Sequence, residues 1–355
     1  MSAQDFSEEQ KRYLEGFVSG VQASRAAAGL KPVAGVGATA DQAGPDAEHL
    51  EAMARFEAEG KKLSAEEKTK RDEHPFDAYA RFKAESAKGQ YPKAADNFRW
   101  RFHGLFYVAP TQNSYMCRLR VPNGILTHWQ LAGVASIAER YCNGYAHVTT
   151  RANLQTREIA AENAIAVLEE LAELGLATKG SGADNIRNVT GSPTAGIDPQ
   201  ELIDTRPYAR AWHHHILNDR SLYGLPRKFN VGFDGGGVVP VLEDTNDIAF
   251  TAVRVSEAAG LEPGVWFRLG LGGITGHKDF ARPTGVLVKP EDAVAVADAV
   301  VRVFIDHGDR TDRKKARLSN SQSIVLARDE SRLDDCLNLS PFIIDKNTFP
   351  SRKRS

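Results

Sequence analysis

Residues 114–124 read SYMCRLRVPNG, and the alternation in this stretch decides how its surroundings fold. A side-chain period of two puts Arg118 and Arg120 on one face of a strand and Cys117 between them on the other. The Pro-Asn-Gly that follows predicts a turn. Upstream, RFHGLFYVAP at 101–110 mixes aromatic and β-branched residues as a preceding strand would. Downstream, Leu126, Trp129, Ala132, Ile137 and Ala138 predict a helix over 125–141. YAHVTT at 145–150 and ANLQTREI at 152–159 predict two more extended segments, and Ile165, Leu168, Leu171 and Leu174 mark one face of a helix over 162–176. The order ββαββα predicts an α+β sandwich in which two helices cover one sheet face.

Lys179-Gly180-Ser181-Gly182 predicts a loop, and a second unit follows it to about Leu318. Its strands are expected in LPRKFNVGFDG (225–235), DIAFTAVRV (247–255) and GVWFRLGLGG (264–273), with a helix over 291–307 burying Val294, Val296, Ala299, Val300 and Val303. Before the sandwich, Tyr13, Phe17 and Val21 predict a short amphipathic helix, and 27–45 is an Ala/Gly/Pro-rich linker or arm. The charge-dense stretch 48–72 reads as a solvated helical surface. Beyond 318 the apolar runs are short and aperiodic, and no internal repeat is visible.

A chain of 355 residues predicts two or three compact units at roughly 100–200 residues each. With 42% hydrophobic and 26% charged residues it is neither a disordered nor a membrane composition. The 45 Lys+Arg balance 46 Asp+Glu, so charge recognition must come from a local cluster; neither nucleic acid nor a membrane is an expected partner. No run of about 18 apolar residues appears, and the acidic start MSAQDFSEEQ is unlike a secretory signal. A cytoplasmic location is expected. The three cysteines, Cys117, Cys142 and Cys336, are too few for a disulfide framework or a four-thiolate centre.

The candidate chemistry is cationic. Arg118 and Arg120 share a strand face; Arg151, Asn153, Gln155 and Arg157 repeat the two-residue spacing; Lys228 and Asn230 do so again; Arg187 lies in the loop-like DNIRNVTGS. One such arginine is ordinary solvent-facing sheet surface. Four such segments, if they converge, predict a basic cleft between two α+β units, suited to a ligand with many carboxylates or phosphates. His213, His214 and His215 point about 100° apart in a predicted helix and cannot form one facial metal site. GFDGGGVV and LGLGGITG lack the spacing of phosphate loops, and Cys117 is expected to be a buried structural thiol.

Five segments carry a family likeness: CRLRVPNGILT (117–127), HVTTRANLQTREI (147–159), DNIRNVTGSPTAGIDP (184–199), LPRKFNVGF (225–233) and HGDRTDRKKARL (307–318). In this order and spacing the chain resembles the ferredoxin-dependent nitrite reductases and assimilatory sulfite reductases, which use sirohaem and a [4Fe–4S] cluster. EEQKRYLEGFVSG near the start resembles the arm of the nitrite reductase branch. The resemblance implies an α+β fold: a helical N-terminal arm and linker over 1–96, a ferredoxin-like α/β sandwich over 97–180, a larger mixed α+β sirohaem-binding domain over 181–318, and a divergent tail over 319–355.

The resemblance also implies roles. Arg120, Arg187, Lys228 and Asn230 would face the substrate, and Arg118, Arg120, Arg151, Asn153, Gln155, Arg157, Arg187 and Lys228 would hold the sirohaem carboxylates. No metal ligand is implied. Lys228 followed by Asn230, in place of a second lysine, implies nitrite over sulfite, because a monoanion needs less positive charge. Ferredoxin would be the donor for six-electron reduction to ammonia. The likeness stops after Leu318, and the two closely spaced cysteine pairs that bind the family's cluster are missing. The expectation is therefore a front half, truncated before the cluster ligands and joined in function to a missing C-terminal half. The alternatives are a sulfite reductase or a non-catalytic tetrapyrrole-binding remnant.

Overall fold

In the computed structural model four short helices precede the first sheet: α1 (Ala47–Ala58), α2 (Ala65–Asp72), α3 (Tyr79–Ser86) and α4 (Ala94–Trp100). The structure describes residues 44–108, 113–257, 261–274, 279–318 and 342–343. The predicted helix near residues 7–21, the linker to 43, most of the tail and Cys336 lie outside the described residues. Ser64 caps α2 by accepting from the Glu67 amide at 3.3 Å. The solvated surface expected over 48–72 needs correction, since Glu67 and Lys70 of α2 are 0% and 1% exposed. Glu67 pairs with both Lys70 and buried Arg310, whose Nη1 donates to Glu67 Oε2 at 2.5 Å. Charge density in sequence did not distinguish a wet helix face from one that buries an ion triad.

The predicted sandwich forms from β1 (Leu105–Val108), β2 (Ser114–Arg118), β3 (Ala146–Thr149) and β4 (Asn153–Ile159), in the antiparallel order β1-β2-β4-β3. Cys117 pairs with Leu105 on one side and Thr156 on the other, and all three are fully buried. Between Tyr115 and Cys117 the register slips by one residue on β4, where Glu158 takes φ 62°; this lets Thr156 and Ile159, three apart, face the same core.

Helices α5 (His128–Tyr141) and α6 (Ala164–Glu173) pack on this core, with Val134, Ile137, Leu168 and Leu171 buried. The helix expected from 125 begins at 128 because Thr127 and Gln130 form a capping box, Thr127 Oγ1 accepting at 3.2 Å and Gln130 Oε1 at 3.1 Å. The one expected to reach 176 stops at Glu173, where Gly175 turns left-handed at φ 69°.

The second sheet contains β5 (Thr190–Gly191), β6 (Val231–Asp234), β7 (Ile248–Val255), β8 (Gly264–Leu271), β9 (Arg282–Val288) and β10 (Phe342–Ile343), in the order β10-β9-β8-β7-β6-β5. Strands β5, β6 and β7 run parallel, and the remaining pairs are antiparallel. Helices α7 (Arg206–Asn218) and α8 (Ala293–His307) bury Trp212, Ile216, Val300 and Phe304 in the same core as Phe233, Phe250 and Phe267. Phe233 and Phe250 stack with centroids 4.8 Å apart. Sequence patterning missed β5, which is two residues long, and β9, whose Pro283 and Gly285 obscure alternation.

From Pro45 onward the described residues form one compact unit with two main hydrophobic cores, one under each sheet. Among the described residues no helix is long and apolar enough to cross a membrane.

Candidate functional site

The N-terminal ends of the three parallel strands create the site. A bridge pairs Ile186 with Phe229, and Val231 lies opposite Ile248. This register sets Arg187, Lys228 with Asn230, and Asn246 with Asp247 on adjacent segments, although up to 60 residues separate them in sequence. The first sheet contributes Arg118 at the end of β2 and Arg151 in the turn between β3 and β4. The four cationic segments read from the sequence therefore converge.

Arg187 stands at the electrostatic centre. Its Nη2 donates to the Ala183 carbonyl at 2.7 Å and its Nη1 to that of Ser181. Burial first, then Arg118, Arg151 and Arg120, pushes its pKa down to about 9 against the opposing charge of Asp184. Arg151 is pushed down to about 10 by burial and by Arg120, with Asp247 opposing. Lys228, solvent-exposed at its residue surface, is lowered by partial burial of its ammonium and then by Arg187, Arg317 and Arg227. Arginines stay charged in practice. Beyond burial, these cations depress one another with only Asp184 and Asp247 among the opposing charges, so positive charge outnumbers negative at the site.

Arg118 rests its guanidinium over the Phe106 ring, 4.6 Å from the centroid. Gln155 lies opposite it in the β2–β4 register, and with its amide oxygen turned inward accepts from Arg118 Nε and Nη2 at 3.2 and 3.3 Å. Arg157 bonds His147 Nδ1 at 3.0 Å, and its charge lowers Arg118 after burial does. Arg118, Gln155 and Arg157 thus form a polar strip beside Arg187.

Two expected ligand-binding residues are spent inside the protein. Arg120 is 1% exposed, and its guanidinium donates to the carbonyls of Ile186 at 2.5 Å, Gly180 at 3.3 Å and Arg187 at 3.4 Å. It shared a predicted face with Arg118, but β2 ends at Arg118, and Arg120 instead bridges to Ala177, which draws it into the seam between the two cores. Asn153 is 4% exposed; its Nδ2 donates to the Leu119 carbonyl and its Oδ1 accepts from the Leu154 amide at 2.9 Å. The two-residue spacing from Arg151 to Asn153 breaks because Arg151 and Ala152 lie in a turn, with Ala152 at φ 47°.

Asn188, Asn246 and Asp247 were not singled out by spacing. Arg151 Nη1 donates to Asn246 Oδ1 at 2.9 Å, and the Asn230 amide donates to Asp247 Oδ2 at 2.8 Å. The available signal was Asn246 just ahead of the predicted DIAFTAVRV strand and Asp247 as its first residue, and nothing local ties that pair to residue 151.

The buried polar atoms Arg151 Nε and Asn230 Oδ1 have no protein partner. Unneutralised cations with orphaned polar atoms fit a polycarboxylate macrocycle and a small anion. A [4Fe–4S] cluster does not fit the described residues: Cys117 and Cys142 are both buried in the first core, burial raises both thiols, and no other cysteine is described.

A four-stranded half-domain joined through a cationic seam to a six-stranded mixed sheet defines a class. Residues 108–174 match the nitrite/sulfite reductase ferredoxin-like half domain, and 182–321 match the nitrite and sulphite reductase 4Fe-4S domain; the chain belongs to the nitrite/sulfite reductase family. The solved structure of the Mycobacterium tuberculosis NirA protein superposes with a TM-score of 0.70 at 25% identity, over 82% of this chain and 56% of that one. The ferredoxin–nitrite reductase of Leptolyngbya laminosa is 39% identical over 227 residues, 62% of this chain and 43% of its own length. The chloroplastic ferredoxin–nitrite reductase of Zea mays is 35% identical over 62% of this chain and 39% of its own length. The assimilatory ferredoxin-dependent nitrite reductase of Haloferax mediterranei is 32% identical, again over 62% and 39%. The aligned region thus spans less than half the length of these three reductases and 56% of the NirA chain.

Proposed function

We propose that this chain supplies the anion-binding half of a sirohaem-dependent nitrite reductase, with ferredoxin as electron donor. The observation that carries the reading is the excess positive charge around Arg187, built from both sheets at the ends of three parallel strands. In this reading Arg118, Arg151 and Arg157, with Gln155, hold carboxylates at the rim. Arg187 and Lys228 draw nitrite in and neutralise its charge. Sirohaem, when bound, would supply the redox chemistry of six-electron reduction to ammonium, in which one nitrite consumes eight protons and releases two waters. The lysine ammonium is suited to pass protons toward the bound anion.

Asn230 supports nitrite over sulfite. It places a neutral amide where a second cation would favour a more highly charged substrate, and the relatives' names agree with that choice. The cluster thiolates come, in this reading, from residues other than those described. A second reading, a tetrapyrrole-binding module without turnover, is favoured by the burial of Cys117 and Cys142 away from the cations.

Incubating the purified chain with sirohaem and following its visible absorbance tests the binding. Retention after gel filtration, weakened in Arg187→Ala, is expected; no retention would overturn the reading. Ammonium formation with reduced ferredoxin and nitrite then separates a reductase from a binding module.

A further inference from the structure

Only one carboxylate lies against Lys228, Arg151 and Arg317 together among the described residues, and it is Asp247. It is 3% exposed and sits immediately before β7, beside the segment that carries Lys228 and Asn230 into β6. Its Oδ2 accepts the Asn230 amide at 2.8 Å, so the carboxyl also positions the residue that separates nitrite from sulfite in the reading above. Building on that reading, we propose that Asp247 is the proton-holding residue of the site, taking one proton from solvent when an anion enters the cation cluster and releasing it when the anion leaves.

The charged groups that face Asp247 are Arg317 beyond α8, Arg151 from the β3–β4 turn and Lys228 before β6; its own segment adds the neutral Asn246. Burial raises its pKa to about 7, and the Asn230 amide and the three cations only partly offset that rise. An anion entering the cluster uses up the same cations that stabilise the carboxylate. It therefore favours the protonated acid, and linkage requires that the acid in turn favour the anion. The proton is then held beside the reacting anion.

Two measurements on the full chain test this. In denaturant titrations without ligand, Asp247→Asn keeps an acceptor oxygen but cannot ionise. The folding constant of the variant relative to the unaltered chain should rise by about two orders of magnitude between pH 5 and pH 8, since a folded-state pKa near 7 lies well above the unfolded value. A ratio that stays level with pH would overturn the proposal. Uroporphyrin I, an octacarboxylate, serves as the binding probe. The unaltered chain should bind it about sixfold more weakly at pH 8.5 than at pH 6.5 for a one-unit rise in the Asp247 pKa on binding, and Asp247→Asn should change less than twofold. An equal fall in both proteins would overturn the coupling. Failure of both to bind uroporphyrin, with the pH-dependent stability ratio intact, would overturn the anion-site reading and the coupling while leaving Asp247 as a titrating acid.

Discussion

Arg151 and Asn188 hold each other across the seam between the two sheets. Arg151 Nη2 donates to the Asn188 carbonyl at 2.8 Å, and Asn188 Nδ2 donates back to the Arg151 carbonyl at 3.0 Å. The same Asn188 amide also reaches the carbonyls of Val121 at 2.7 Å and Ala152 at 3.1 Å. The anion site and the joint between the cores therefore share one residue pair.

Asn188→Ala should accordingly destabilise the protein by about 2–3 kcal/mol, because it leaves the carbonyls of Val121, Arg151 and Ala152, on the first-sheet side of the seam, without their donor. Chemical denaturation measures this. A change below about 0.5 kcal/mol would show that the seam does not depend on Asn188.

The buried triad of Glu67, Lys70 and Arg310 makes a sharper stability prediction. Lys70 Nζ donates to the Leu225 carbonyl at 2.8 Å and Arg310 Nη2 to that of Gly224 at 3.0 Å, so both cations are held at one place beneath α2. Glu67→Ala strands two buried cations and should cost about 3–5 kcal/mol. Replacing all three by apolar residues of similar volume should cost much less, and equal losses in the two variants would refute the charge argument.

Lys228 should behave differently. It is exposed, and among the described residues no hydrogen bond reaches its ammonium, so Lys228→Ala should alter stability by less than about 0.5 kcal/mol. Uroporphyrin I binding should weaken severalfold and become less sensitive to salt between 50 and 200 mM. Unchanged affinity would remove Lys228 from the anion site.

Acid stability should be governed by buried histidines. Burial pushes His49 and His213 down to about 3 and His103 to about 4, and His103 Nε2 contacts the Pro75 carbonyl at 3.0 Å. With folded values below the unfolded 6.5, the unfolded state binds more protons. Their stabilising contribution is complete above about pH 6.5 and is lost as pH falls toward 4, at up to about 1.4 kcal/mol per pH unit per histidine. His103→Gln should make that decline shallower in denaturation curves at pH 6.5, 5.5 and 4.5. An unaltered slope would show that His103 does not contribute.

Periodicity located the elements well. Alternation through 114–118 and the apolar faces of 128–141 and 164–173 followed the sequence pattern because each is decided within a few residues, by side-chain period and by caps such as Thr127 and Gly175. The site was legible in residue type and only partly in role. Arg118 and Arg120 are indistinguishable by spacing, yet one lies against Phe106 at the site while the other donates to three carbonyls in the seam. Asp247 opens the strand predicted over 247–255, but nothing near it in sequence marks its role, since that role lies in residues from three other segments.

The sequence by itself determined most of the secondary structure, the two-sheet α+β class, the family and the set of basic side chains, because patterning and motif chemistry act over short stretches of chain. The tertiary structure decided which of those cations are free to meet a ligand. The parallel register of Ile186 with Phe229 and Val231 with Ile248 assembles them, and burial then spends the Arg120 guanidinium on three carbonyls in the seam while Lys228 stays exposed. That choice rests on desolvation and on partners distant in sequence, which no local pattern records.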